Sequence, residues 1–179
     1  MALGSEDVEI VHPGLKRLKR PDDLGIDPLL VLLRRKPWLL VWLLRGRAVF
    51  KQRIARCVPL DPAALAYNDE LLAFLRVEKA GGRELWLVTA ADRTVAEKIA
   101  EHFDGLFAGV LASDGAVNLK GERKLRALEA KFPSGFDYAG NSAPDLPIWR
   151  RARNAIVVNA TPRVLRRARS LSNVARVFR

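Results

Sequence analysis

The sequence predicts an α/β fold, a Rossmann-like doubly wound parallel sheet. From Arg83 onward, short apolar segments alternate with amphipathic segments in the order expected for four strand-helix pairs. The apolar segments, such as LWLVTA and AIVVNA, are apolar on both faces, which is typical of strands that helices cover on both sides. Right-handed crossovers between these strands then wind the sheet in two directions.

Outside this pattern the chain divides into two further regions. The sequence predicts that residues 1–27 form an N-terminal arm or a degenerate first strand, with a short apolar patch from Val8 to Val11. Residues 28–70 predict a small helical cap, because two apolar segments in PLLVLLRRKPWLLVWLL flank Pro37. Residues 71–179 then form the α/β core. The cap leucines and tryptophans either pack on the core or form a surface for a membrane or membrane-embedded partner.

The charge balance favours anionic partners. The 179 residues include 31 Lys and Arg against 20 Asp and Glu, a formal charge of +11. Phosphorylated small molecules and anionic membrane surfaces fit this charge. Nucleic acid fits it less well, since no nucleic-acid-binding motif or aromatic platform accompanies the arginines near the C-terminus.

The cellular setting follows from the cysteine content and the N-terminus. A single cysteine, Cys57, cannot form an internal disulfide, and the N-terminal residues do not resemble a secretory signal. The sequence therefore predicts a cytoplasmic protein, with the inner face of the membrane as an alternative location.

Candidate ligand-binding residues follow the predicted strands. Ligand sites in such sheets lie beyond the carboxyl ends of the strands. Thr89 and Ala90 follow the first apolar segment, where a hydroxyl and backbone N–H groups can hold a phosphate. The alternative for Thr89 is a helix cap. Ser113 and Asn159 occupy equivalent positions after two other strands.

Two further segments carry charged or metal-binding side chains. Lys120 precedes a predicted helix, where its ammonium can neutralise a phosphate or a carboxylate, or is simply solvated. Asn141 and Asp145 follow the segment FDYAG, and Asp145 is either an Mg²⁺ ligand or the N-cap of a helix. Gly140 allows close backbone approach at this point.

A threonine, a lysine and an acidic glycine loop in this order resemble the later motifs of the haloacid dehalogenase (HAD) superfamily of phosphatases. The segments RRKPWLLVWLLRGRAVFKQRIA, LVTAAD, LASDGAVNLKGERK and FDYAGNSAPDLPIWRRA are similar to the HAD-type domain joined to UbiA-family membrane prenyltransferases. The resemblance covers roughly residues 28–169.

The resemblance implies phosphomonoester hydrolysis through an aspartyl-phosphate, with Mg²⁺ as cofactor. It assigns Thr89 and Ala90 to phosphate binding. It assigns Lys120 to both phosphate binding and catalysis, as the group that stabilises the intermediate. Asn141 and Asp145 would occupy the metal-binding loop, and a membrane prenyltransferase would be the partner.

The sequence departs from the superfamily pattern at its first motif. The superfamily has Asp-x-Asp-x-Thr at the end of the first strand, whereas this chain contains no Asp-x-Asp. Asn141 also replaces the usual aspartate. We therefore expect a HAD-like phosphatase domain with impaired or absent activity. The alternatives are a noncatalytic module of a UbiA-type prenyltransferase system and a basic nucleic-acid or lipid-surface binder.

Overall fold

The computed structural model describes residues 8–11, 61–114 and 117–179. Most of the predicted cap, residues 28–60, therefore lies outside the described residues. The described chain forms a six-stranded sheet in the order β3-β2-β1-β4-β5-β6, and every neighbouring pair is parallel. The strands are β1 (Val8–Val11), β2 (Glu84–Asp92), β3 (Gly109–Ser113), β4 (Asp137–Gly140), β5 (Ala155–Val158) and β6 (Val174–Phe178).

Five α-helices accompany the sheet in the described part of the chain. They are α1 (Asp69–Ala80), α2 (Arg93–His102), α3 (Glu122–Lys131), α4 (Leu146–Arg151) and α5 (Pro162–Leu171). Polar residues begin several of them: the side chains of Asn68, Asp92 and Thr161 accept hydrogen bonds from backbone N–H groups in the first turns of α1, α2 and α5. Two single 3-10 turns lie at Pro62–Ala64 and Ala143–Asp145.

The strand order confirms the doubly wound α/β fold. β1 lies between β2 and β4, and the chain adds strands outward from β1 in both directions. Val11 is paired with Leu87 of β2 and with Ala139 of β4. The carboxyl end of β1 therefore lies at the point where the winding direction changes, which is where ligands bind in sheets of this kind.

Helices cover both faces of the sheet. On one face, α3, α4 and α5 contribute Leu128, Trp149 and Ala168 to the largest core cluster. On the other face, Leu75 of α1 and Ile99 of α2 pack against the strand side chains that point to that face. Burial on both faces explains why the strands are continuous apolar segments.

Strand β6 was not among the predicted strands. Its sequence, VARVF, belongs to a basic segment, and Ala175 and Arg176 are exposed because β6 is an edge strand. The predicted division into 1–27, 28–70 and 71–179 stays a prediction, although α1 begins slightly before residue 71, at Asp69. Among the described residues, the helices are too short or too polar to cross a membrane.

Candidate functional site

The strand-end loops that carry the candidate residues lie at the same edge of the sheet. All strands are parallel, so the chain leaves β1, β2, β3 and β4 at their carboxyl ends on one side. Thr89 lies in the last part of β2, and Gly140 is the last residue of β4. The end of β1 lies between them.

Thr89 is buried within an extended segment and does not cap a helix. Strand β2 continues to Asp92, whose carboxylate accepts hydrogen bonds from the Thr94 backbone N–H and hydroxyl, 3.0 and 2.6 Å away. Asp92 is therefore the cap of α2, and the alternative interpretation of Thr89 as a cap is wrong. The Thr89 hydroxyl instead accepts a hydrogen bond from the backbone N–H of Ala91 at 3.1 Å.

Ser113 joins two loops of this edge. Its hydroxyl donates to the carbonyl of Ala90 at 3.0 Å and accepts from the backbone N–H of Leu119 at 2.9 Å. The residues before α3 are thereby held against the end of β2. Lys120 follows in this loop and is exposed to solvent.

The buried lysine of the site is Lys124, which sequence reasoning did not single out. It lies in the first turn of α3 and is only 3% exposed. Its ammonium donates a hydrogen bond to the Tyr138 hydroxyl at 3.0 Å and lies 3.7 Å from Oδ1 of Asp145. Its spacing from Leu128, one helical turn later on the inward face, is the signal that identifies it.

Asp145 is also buried, and both of its carboxylate oxygens accept hydrogen bonds. Oδ2 accepts from the backbone N–H groups of Asn141 and Ser142 at 3.1 and 3.0 Å and from the Ser142 hydroxyl at 2.9 Å. Oδ1 accepts from the Tyr138 hydroxyl at 3.1 Å. Asp145 occupies the N-cap position of α4, as one of the two alternatives predicted, but its carboxylate makes no cap hydrogen bond to that helix. The hydrogen bonds of Asp145 instead fix the conformation of the loop of residues 141–145.

Gly140 permits this arrangement because there is no room for a side chain. A Cβ atom at this position would lie 2.8 Å from Cε1 of Tyr138 and 3.0 Å from Cγ of Asp145. Glycine is therefore required here by the close approach of two buried side chains, and the predicted close approach of the backbone to a ligand stays a prediction.

Burial sets the protonation of the network formed by Lys124, Tyr138 and Asp145. Loss of hydration lowers the pKa of Lys124, and the negative charge of Asp145 opposes that shift. Burial, and next the charge of Asp145, raise the pKa of Tyr138 well above its ordinary value. The Tyr138 hydroxyl thus stays protonated at neutral pH, where it accepts from the lysine and donates to the carboxylate.

The described donor set fits a divalent cation poorly. The Asp145 carboxylate already accepts four hydrogen bonds and has an ammonium as neighbour. Asn141 offers a neutral amide in place of a carboxylate, which weakens binding of a hard cation. Within residues 61–114 and 117–179, no three His, Cys, Asp or Glu side chains lie close enough together to hold a metal ion.

Comparison with solved structures identifies the fold as HAD-like. The chain superimposes on a probable phosphoserine phosphatase from Vibrio cholerae with a TM-score of 0.63 and 12% identity, covering 90% of this chain and 58% of that one. A HAD family hydrolase from Salmonella enterica gives a TM-score of 0.59 and 15% identity, covering 92% of this chain and 66% of that one. At these identities the likeness shows the fold alone.

Two further comparisons involve proteins of unknown function. A Bordetella pertussis protein of unknown function matches with a TM-score of 0.57 and 16% identity over 95% of this chain and 99% of that one. An uncharacterized protein of Sinorhizobium fredii, y4nM, is 45% identical over 114 residues, which is 64% of this chain. This chain spans only 22% of the length of y4nM. No family model matches the sequence.

Proposed function

We propose that this chain is a noncatalytic HAD-like module, without phosphomonoesterase activity. The observation that carries the proposal is the pairing of the buried Asp145 carboxylate with the Lys124 ammonium, together with its hydrogen bonds from Tyr138 and its own loop. A carboxylate that is held by four hydrogen bonds and a neighbouring ammonium is already satisfied without a metal ion or substrate.

The sequence after β1 supports the absence of catalysis. The strand ends at Val11, between the two loops that carry Thr89 and Gly140, and a nucleophile of a HAD phosphatase would follow this strand. The residues that follow Val11 are His12, Pro13 and Gly14, so this segment supplies no carboxylate to attack phosphorus. Without a nucleophile, the covalent route through an aspartyl-phosphate is lost.

Magnesium has no role in this proposal. If Mg²⁺ were bound, it would offset the charge of phosphoryl oxygens, and Asn141 and Asp145 would be its nearest candidate ligands. The hydrogen bonds of Asp145 and the neutral amide of Asn141 argue against tight binding. The Thr89 and Lys120 loops remain candidates for weak binding of a phosphorylated small molecule.

The biological role of such a module is an interaction. The resemblance to the HAD-type domains of prenyltransferase systems suggests a membrane prenyltransferase as partner, with the domain at the inner face of the membrane. The net charge of +11 also supports contact with an anionic membrane surface.

A phosphatase assay tests the proposal. The purified chain is incubated with a panel of phosphomonoesters, with and without Mg²⁺, beside an Asp145→Asn variant that keeps the side-chain shape. We expect phosphate release from the wild type to equal that from the variant and from buffer, while an active Mg²⁺-dependent phosphatase in parallel reports that the assay works. Turnover that requires Mg²⁺ and disappears in Asp145→Asn would refute the proposal.

A further inference from the structure

Helix α5 carries an arginine cluster that the candidate site does not use. Arg163, Arg166, Arg167 and Arg169 are all exposed, and α5 contains no acidic residue. Within the described part of the chain, none of these four guanidinium groups forms an ion pair. Like charges on one helix repel each other, so this arrangement is costly unless a partner neutralises it.

Three of these arginines border a cleft of about 770 Å³. The cleft separates α5 from the 3-10 turn and the start of α4. Arg163, Arg166 and Arg167 form its charged side. Its apolar lining comes from Ala143, Leu146 and Val164.

A second cleft, of about 420 Å³, continues along the same pair of helices and shares Leu146 and Arg167 with the first. Its further lining includes Arg150, Arg151 and Leu171, together with Glu122, Leu125 and Pro147. Arg151 is already paired with Glu129 at 2.8 Å. Leu171 is 38% exposed, one of the few large apolar side chains at the described surface. The two clefts therefore form one surface in which arginines lie beside apolar side chains, with the carboxylate of Glu122 in the second cleft.

We propose that this two-cleft surface binds an acidic segment of a partner protein, which places apolar side chains in the clefts and carboxylates against the arginines. Arginine suits this role because its planar guanidinium pairs with a carboxylate through two hydrogen bonds. The proposal goes beyond the noncatalytic role proposed above, since that role does not say which residues of this chain contact a partner.

The lining residues favour this occupant over other anions. Single-stranded nucleic acids stack their bases on aromatic side chains, and none of the described residues that line the two clefts is aromatic. A membrane surface presents headgroups and does not insert separate apolar side chains into concave clefts. Of the five described arginines that line the surface, Arg151 is already paired with Glu129. A single small phosphate would neutralise one or two of the other four, whereas a peptide with repeated carboxylates reaches all of them.

A peptide-binding experiment tests the proposal. The probe is a fluorescein-labelled peptide of repeated Glu-Glu-Leu triplets, and its control replaces each Leu by Ala. Binding to the full chain is followed by fluorescence anisotropy. We expect the Arg163→Ala/Arg167→Ala variant to bind the Leu-containing peptide roughly tenfold more weakly than the wild type, or worse.

Arg169→Ala is the matched control, because Arg169 lies on the same helix and lines neither cleft. We expect it to retain affinity within roughly twofold, with the small loss that general charge attraction predicts. The replaced arginines are exposed, so circular dichroism should show an unchanged fold for all variants.

Three results would overturn the proposal. The first is no binding of the Glu-Glu-Leu peptide, or equal binding of the peptide that contains Ala. The second is an equal loss per arginine in Arg169→Ala, which would indicate general charge attraction. The third is tighter binding of duplex DNA or of phosphatidylserine vesicles than of the peptide, with the same dependence on Arg163 and Arg167.

Discussion

Asp145→Ala is expected to lower the free energy of unfolding by about 3 to 5 kcal/mol, the usual cost of removing one partner of a buried ion pair. The change leaves the Lys124 ammonium buried without its counter-ion and removes the acceptor of the Ser142 hydroxyl and of two backbone N–H groups. Lys124 can lose its proton, which limits the cost. Urea-induced unfolding, followed by circular dichroism, measures the effect.

A double-mutant cycle separates the pair from the rest of the network. Lys124→Met keeps the aliphatic volume and removes the charge, so it serves as the second single variant. In the Lys124→Met/Asp145→Ala variant neither charge is left unpaired, and we expect it to be more stable than the sum of the two single losses predicts. Additive losses would show that the two charges are not coupled. A loss below about 1 kcal/mol for Asp145→Ala would contradict the expected cost of breaking the buried pair.

Gly140→Ala is expected to cost about 1 to 3 kcal/mol, because overpacking forces neighbouring groups to move. The added methyl group would lie 2.8 Å from the Tyr138 ring and 3.0 Å from the Asp145 Cγ atom, and both of these neighbours are buried. The change therefore strains the same network without removing any polar group. Thermal unfolding should show a decrease in Tm of several degrees.

Gly81→Ala is the matched control for this prediction. Gly81 follows α1 with an ordinary φ of −74°, and the nearest atom to an added Cβ would be the Glu78 carbonyl oxygen at 3.3 Å. We expect a much smaller change in Tm, since alanine also lowers the entropy of the unfolded chain. If the two variants lose equal stability, the close approach at Gly140 is not what requires glycine there.

The fold could be predicted from the sequence for those strands that helices cover on both faces of the sheet. Strands β2 to β5 are mostly apolar, and the amphipathic segments that follow them form helices as predicted. β6 escaped prediction because an edge strand keeps some polar or exposed positions, and its arginine suggested only a basic tail. β1 was predicted as a weak strand or a loose arm, since its central position depends on pairing with residues more than 70 positions away.

The candidate site could be predicted in part. The glycine loop was located correctly, because a glycine and an aspartate after a buried strand are local signals. Lys124 was not identified, because its neighbours on α3 are also basic and its one sequence signal, the spacing of one helical turn from the buried Leu128, was not used. The cap interpretation of Thr89 was wrong because β2 continues to Asp92, whereas Asp145 does occupy the N-cap position of α4.

Calorimetric titration of the wild-type chain with Mg²⁺ tests most directly the claim that Asp145 is neutralised internally. If Lys124 and Tyr138 satisfy the carboxylate, millimolar Mg²⁺ should give no binding isotherm, and Asp145→Asn should give the same trace. A saturable isotherm in the wild type that disappears in Asp145→Asn would contradict the account, because it would show that the carboxylate is available to a metal ion.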